Sequence, residues 1–227
     1  MYNIFEAYSV EYYIGEKRSG KTLSMTADTK EDLTRIGKEI KLFTNYHLKK
    51  PFFKEMETKD YKMIEKIDLA KYYQNKNEFS NCIFLIDAFQ TWLDARNFMK
   101  SVEIDGKKVN YNQAVSYFLG QMGKRGNILR ATLHDYTLID IRGRLYSDKL
   151  NYCFRGLIDD IQKWKPLLNL HRELNEDENE RCRIQIISYI KKMVRTVFLP
   201  EFKYVKLEPR YIKAQDHYDC YDTQELI

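Results

Sequence analysis

The sequence predicts an α/β fold, a mostly parallel sheet flanked by helices. Three observations carry this expectation. Short apolar runs of strand length alternate with segments of helical periodicity. The stretch GEKRSGKT, Gly15 to Thr22, stands between one such run and the first helical segment. The run CIFLI ends in an acid, Asp87, as a buried strand does when it delivers a carboxylate to the edge of a parallel sheet. With 227 residues, 44% of them hydrophobic, the chain can bury one substantial core. Residues 1–227 are therefore expected to form one domain, with a hairpin insertion at about 101–111.

The elements follow in order. Tyr8 to Ile14 reads as a strand closed by Gly15. Lys21 to about Gly37 reads as a helix, with Leu23, Ala27, Leu33 and Ile36 spaced to face one core. Ile40 to Leu48 and Cys82 to Asp87 are the second and third strands. Val102 to Val109 carries Asp105-Gly106 between short alternating runs, a hairpin signal. Asn112 to Met122 is helical by pattern, with Ala114, Val115, Phe118, Leu119 and Met122 on one face and Gly123 and Gly126 as stops. Ile128 to His134 is a fourth strand, and Leu150 to Ile158 and Arg183 to Ile190 offer two more. The acidic stretch Glu173 to Glu180 reads as an exposed loop or helix start. There is no internal repeat or low-complexity tract.

Composition excludes some classes and leaves others open. A net charge of +5 is mildly basic and does not by itself call for a polyanion. The pairs Lys49-Lys50, Lys107-Lys108, Lys124-Arg125 and Lys191-Lys192 are either solvated surface or local anion contacts. Cys82, Cys153, Cys182 and Cys220 are widely spaced without a CxxC pair. They read as thiols of a reducing compartment, Cys82 and Cys153 buried, rather than as a zinc site. The first thirty residues do not resemble a signal peptide, and no apolar run approaches the ~20 residues that span a bilayer. Membrane insertion is not expected.

Gly15 to Thr22 fits G-x-x-x-x-G-K-[ST] without a mismatch, and its strand-before, helix-after context is the one the motif requires. The glycines allow a tight curl in which successive N–H groups of Gly15, Glu16, Lys17, Arg18, Ser19 and Gly20 point inward at phosphate oxygens. The helix N-terminus adds unpaired donors and partial positive charge. Lys21 is placed to reach the β- and γ-phosphates of ATP, and the Thr22 hydroxyl to ligate Mg²⁺. Asp87, on a neighbouring strand, is the second candidate metal ligand, direct or through water.

Together with FLIDAFQTWLDAR (Phe84 to Arg96), KRGNILRATLHDYTLIDIRGR (Lys124 to Arg144) and YDTQE (Tyr221 to Glu225), the loop resembles the FtsK–HerA superfamily of DNA-pumping ATPases. The likeness is greatest to its viral genome-packaging and zonular-occludens-toxin-like branches. It implies a RecA-like P-loop NTPase fold, and an ATPase that drives double-stranded DNA into a viral capsid. A homo-oligomeric ring, a contact with the capsid or portal vertex, and a location in the host cytoplasm during virion assembly are implied with it. By position His134 matches the polar sensor of the γ-phosphate, usually glutamine. Arg142 and Arg144 match arginines that act across a subunit boundary, and Arg96 is a third candidate. The hairpin around Lys107-Lys108 is the loop expected to face DNA. The alternative is a nucleotide-binding assembly or secretion protein of the zonular-occludens-toxin type.

One position departs from this pattern. The family places a glutamate after the strand aspartate to polarise the attacking water; here the residue is Ala88. It is either an engineered substitution of the kind that traps bound nucleotide, or a native feature of a slow or non-hydrolysing member.

Overall fold

Every residue of Cys82–Ile86 is buried, because both faces of the sheet are covered; the run is therefore continuously apolar instead of alternating. The computed structural model describes residues 8–36, 40–49, 52, 61–63, 79–94, 96, 100–104, 106–155, 183–195, 200–213, 217 and 220. Lys50, Asp105, residues 156–158, the acidic stretch Glu173 to Glu180, Cys182 and Tyr221 to Glu225 lie outside them.

The described strands are β1 (Val10–Ile14), β2 (Lys41–Thr44), β3 (Tyr61–Met63), β4 (Cys82–Ile86), β5 (Ser101–Ile104), β6 (Lys107–Asn110), β7 (Ile128–Leu133), β8 (Lys149–Arg155), β9 (Arg183–Arg195), β10 (Pro200–Lys206) and β11 (Arg210–Lys213). The helices are α1 (Lys21–Ile36), α2 (Tyr111–Gly120) and the short α3 (Ile141–Leu145). The main sheet runs β10-β9-β8-β1-β7-β4-β2-β3, with β11 also on β9, and β5-β6 pair apart as the expected hairpin. The centre, β8 through β3, is parallel. The flank β9, β10 and β11 is antiparallel, so the sheet is mixed at that side. The sequence pattern does not predict β3, β10 and β11, and β9 continues to Arg195, past the expected end at Ile190. The second strand is shorter than expected: it ends at Thr44, where Asn45 turns its side chain to hydrogen bonding.

Residue parity sorts the side chains into two cores. Leu23, Ala27 and Leu33 of α1 pack with Tyr13, Leu42, Ile83, Leu85 and Ile128 on one face. Val115, Phe118, Leu119 and Met122 of α2 and its end pack with Tyr12, Ile14, Phe84, Ile86, Leu129 and Leu133 on the other. Odd residues of β4 and even residues of β7 thus face α1. Continuing that alternation, Asp87 and Thr132 fall on the same side as the loop that begins α1.

The α1 face also holds buried charge. Arg130 donates to Thr29 Oγ1 at 2.9 Å and Glu11 Oε1 at 3.3 Å and pairs with Asp32. Lys149 reaches Glu11 Oε2 at 3.1 Å. Arg210 of β11 grips Asp28 of α1 with both guanidinium nitrogens, and the Tyr13 hydroxyl donates to the same carboxylate at 2.6 Å. Burial pushes the Glu11 pKa up, but the charges of Arg130 and Lys149 outweigh it and hold the carboxyl below its ordinary value. Asp28 is lowered in the same way: burial opposes, and Arg210 and Arg130 prevail. A set of this kind contributes little over an apolar core when complete, yet loss of one partner is costly.

Arg130→Met is therefore expected to destabilise the fold by about 3 kcal/mol at neutral pH in urea unfolding. Because the carboxyls are depressed in the folded state, the stability they contribute is complete above their unfolded pKa values and is lost as pH falls through the folded ones. The gap between wild type and variant should accordingly shrink below about pH 4. A gap that is absent at pH 7, or that widens in acid, contradicts this account.

Candidate nucleotide site

At the carboxyl end of β1 the chain leaves the sheet and curls back into α1. Gly15 N–H donates to Leu133 O at 3.2 Å, and Ser19 N–H to Glu16 O at 3.2 Å, which closes the loop. The first glycine is required by close approach: a Cβ there would stand 2.6 Å from both Cys153 O and Ser19 Oγ. Gly20, at φ +85°, takes a backbone conformation that L side chains rarely adopt, and it lies against Ile184 of β9. Arg18 also has positive φ, at 67°. Glu16, Lys17 and Arg18 are exposed at the loop's crest, while Ser19 and Lys21 are buried.

Lys21 folds across the loop and donates to Glu16 O at 2.6 Å. Burial lowers its pKa, against the opposing pull of Asp87. The Ser19 hydroxyl is buried without a hydrogen-bond partner among the described residues. A caged ammonium, an unused buried hydroxyl and the first turn of a 16-residue helix converge inside one loop. That donor set is suited to phosphate oxygens.

Thr22 and Asp87 come from elements 65 residues apart and meet: Thr22 Oγ1 donates to Asp87 Oδ1 at 2.6 Å. Thr132 Oγ1, at the end of β7, donates to the same oxygen at 2.6 Å. A hydroxyl and a carboxylate side by side next to a phosphate cradle match the hard oxygen donors that Mg²⁺ takes. The residues present fit the ion, and Thr22 and Asp87 are the side chains that would hold it.

Ala88 does not continue the strand. It sits at φ 53°, ψ 45°, in the left-handed region, and begins the turn Phe89–Thr91. Its N–H donates to Thr132 Oγ1 at 2.9 Å. The Asn45 amide grips the residue before it: Nδ2 donates to Asp87 O at 2.9 Å, and Asp87 N–H to Oδ1 at 2.8 Å. Asn45 lies outside the quoted motifs, and Thr132, though inside the segment Lys124 to Arg144, has no role assigned there by sequence. The only sequence signal for them is position, each being a polar residue at the carboxyl end of an apolar strand.

His134 follows β7 directly and lies beside the loop, exposed. Partial burial and the nearby Lys21 ammonium lower its pKa, against Asp87 and a hydrogen bond with the Gly15 backbone. The shift favours the neutral imidazole, and the ring stands near the loop. The three arginines differ. Arg96 makes a bidentate pair with Asp94 at 3.1 and 2.9 Å and is exposed. Arg142 is held in the same way by Asp140 at 2.8 Å for both bonds, a pairing that keeps the Asp140 carboxyl at a pKa of about 2. Arg144, on α3, has its buried Nε without a hydrogen-bond partner among the described residues. Lys107 and Lys108 are exposed on the β5–β6 hairpin.

No helix among the described residues is long and apolar enough to cross a membrane. No protein-family model matches the chain, and no curated protein sequence matches it. Solved structures do. The N-terminal domain of zonular occludens toxin from Neisseria meningitidis is similar at a TM-score of 0.54 and 15% identity, over 94% of this chain and 98% of that one. The genome packaging NTPase B204 from Sulfolobus turreted icosahedral virus 2, in complex with ATP-gammaS, is similar at a TM-score of 0.50 and 8% identity, over 88% of this chain and 97% of that one. At such identities the likeness is one of fold. The chain has the α/β fold of P-loop NTPases, in the form shared by a zonular occludens toxin domain and a viral packaging NTPase.

Proposed function

We propose that the protein binds ATP with Mg²⁺ in the loop Gly15–Thr22 and is an ATPase subunit of a motor that moves double-stranded viral DNA. The observation that carries the nucleotide part is the convergence of Lys21, Thr22 and Asp87 at one strand end, with Thr22 Oγ1 2.6 Å from Asp87 Oδ1. Backbone N–H groups of the loop and Lys21 hold the phosphates; Thr22 and Asp87 hold the metal. When bound, Mg²⁺ neutralises charge on the β- and γ-phosphate oxygens. His134, beside Lys21, senses the γ-phosphate. An arginine from a neighbouring copy would complete the site, and hence the protein acts as a ring. Arg144 is the favoured donor, because Arg96 and Arg142 are each spoken for by a carboxylate of their own chain. The viral packaging NTPase supports the motor reading, and DNA, a capsid or portal contact and action in the host cytoplasm come with it. A motor must grip any sequence, which phosphate contacts from Lys107 and Lys108 achieve without base readout.

The second reading is an ATP-driven switch in an assembly or secretion machine. It is favoured by the fold likeness to the zonular occludens toxin domain and by the methyl group of Ala88 where a motor needs a carboxylate.

Lys21→Ala and Thr22→Ala are expected to weaken ATP–Mg²⁺ binding by at least tenfold in calorimetry, from the loss of a phosphate cation and a metal ligand. Unchanged affinity in both variants would end the nucleotide reading.

Turnover should be slow as the chain stands, and Ala88→Glu should raise phosphate release by a factor of ~10² to 10⁴, the usual contribution of a general base. The fold should tolerate it, since alanine and glutamate both bear a Cβ at this positive φ. Long duplex DNA should stimulate the glutamate form at low salt and less so at high salt. Lys107→Ala with Lys108→Ala should reduce that stimulation. A glutamate form no faster than the present chain refutes the missing-base account, and restored turnover indifferent to DNA favours the switch over the motor.

A further inference from the structure

We propose that Asn45 is a positioning residue for the metal site, its side-chain amide fixing the Asp87 backbone so that the carboxylate is preset for a divalent cation beside nucleotide. The proposal rests on the nucleotide reading above.

The β2–β4 ladder ends at the pair Thr44↔Leu85. Beyond it the ladder supplies the backbone groups of Asp87 with no partner on the β2 side. Asn45 replaces the missing ladder with its side chain. Nδ2 donates to Asp87 O at 2.9 Å, while Oδ1 accepts from Asp87 N–H at 2.8 Å. A primary amide carries a donor and an acceptor on one carbon, so it can satisfy both backbone groups of one residue at once. A carboxylate or hydroxyl at this position could not do so in the same geometry.

From the other flank, Thr132 Oγ1 accepts from Ala88 N–H at 2.9 Å and donates to Asp87 Oδ1 at 2.6 Å. Asp87 is thereby held at its N–H, its C=O and its carboxylate, and the following residue is kept at φ 53°. A backbone turned to the left-handed region at a residue with a Cβ persists only where its surroundings over-determine it. Asn45 and Thr132 supply that constraint. Asn45 touches neither Thr22 nor the Asp87 carboxylate in any hydrogen bond given by the structure; it acts through the Asp87 main chain. Residues that orient a metal ligand in this way change metal affinity by roughly 10- to 100-fold when removed.

The discriminating quantity is the magnesium coupling: the ratio of ATP affinity with Mg²⁺ to that in EDTA, measured by calorimetry for the full chain and for Asn45→Ala and Asn45→Leu. The expected result is a coupling reduced about tenfold or more, with affinity in EDTA unchanged, since Lys21 and the loop amides remain in place. The two variants differ in bulk and share only the loss of the amide, so if one fails to fold the other decides. Affinities that fall equally with and without Mg²⁺ reduce Asn45 to a general structural role and overturn the proposal, as does an unchanged coupling. A wild-type chain whose ATP affinity ignores Mg²⁺ would overturn the metal-nucleotide reading itself, a failure visible before any variant is measured.

Discussion

The Asp87 carboxylate is the point on which the site depends. Two hydroxyls, Thr22 from the phosphate-loop helix and Thr132 from the strand between, converge on its Oδ1. They can do so only because β7 stands between β1 and β4, in register with both. Parity then puts Thr132 and Asp87 on the α1 face, so that the sheet's order delivers a loop, a hydroxyl and an acid to one edge. The arrangement is one of geometry before it is one of chemistry: shift any of the three strands by a single residue and the polar group turns to the opposite core.

The same edge is braced from below. Glu11 on β1, Arg130 on β7 and Asp28 and Asp32 on α1 tie the helix behind the phosphate loop to the strands beneath it, and Arg210 brings in the antiparallel flank. Buried ion pairs of this kind are poor sources of net stability, but they define which element lies against which. Here they tie α1 to the sheet, and its first turn forms part of the proposed phosphate cradle. The flank contributes to the loop directly as well, since Ile184 of β9 lies against Gly20, while Cys153 O of the neighbouring parallel strand β8 stands over Gly15.

What was legible in the sequence was local or periodic. The loop could be read because its eight residues carry their own geometric requirement, and Asp87 because five buried apolar residues precede it. The buried faces of α1 at Leu23, Ala27 and Leu33 and of α2 at Val115, Phe118 and Leu119 followed from spacing, whereas Ala114 packs apart from them with Ile104 of the hairpin. Asn45 and Thr132 were not legible, because their roles depend on partners 42 to 45 residues away, and a polar residue at a strand end carries no local mark of such a partner. The left-handed turn at Ala88 was hidden for the same reason: an apolar run predicts extension until a tertiary constraint stops it. The strand β10 is not legible because Phe202, Lys203, Tyr204, Val205 and Lys206 are all exposed, so these residues offer no buried face to impose an apolar stripe. The arginines were found by position, but only the structure separates Arg96 and Arg142, each held by a nearby aspartate, from Arg144.

Nucleotide held in the loop should engage the sheet edge at Asp87. Amide hydrogen exchange with and without ATP–Mg²⁺ tests it directly, because N–H groups that donate to phosphate exchange slowly. The account predicts slowed exchange in Gly15 to Leu23, accompanied by a smaller effect at Asp87 and Ala88. Protection confined to other segments, or none at saturating ATP, would contradict it.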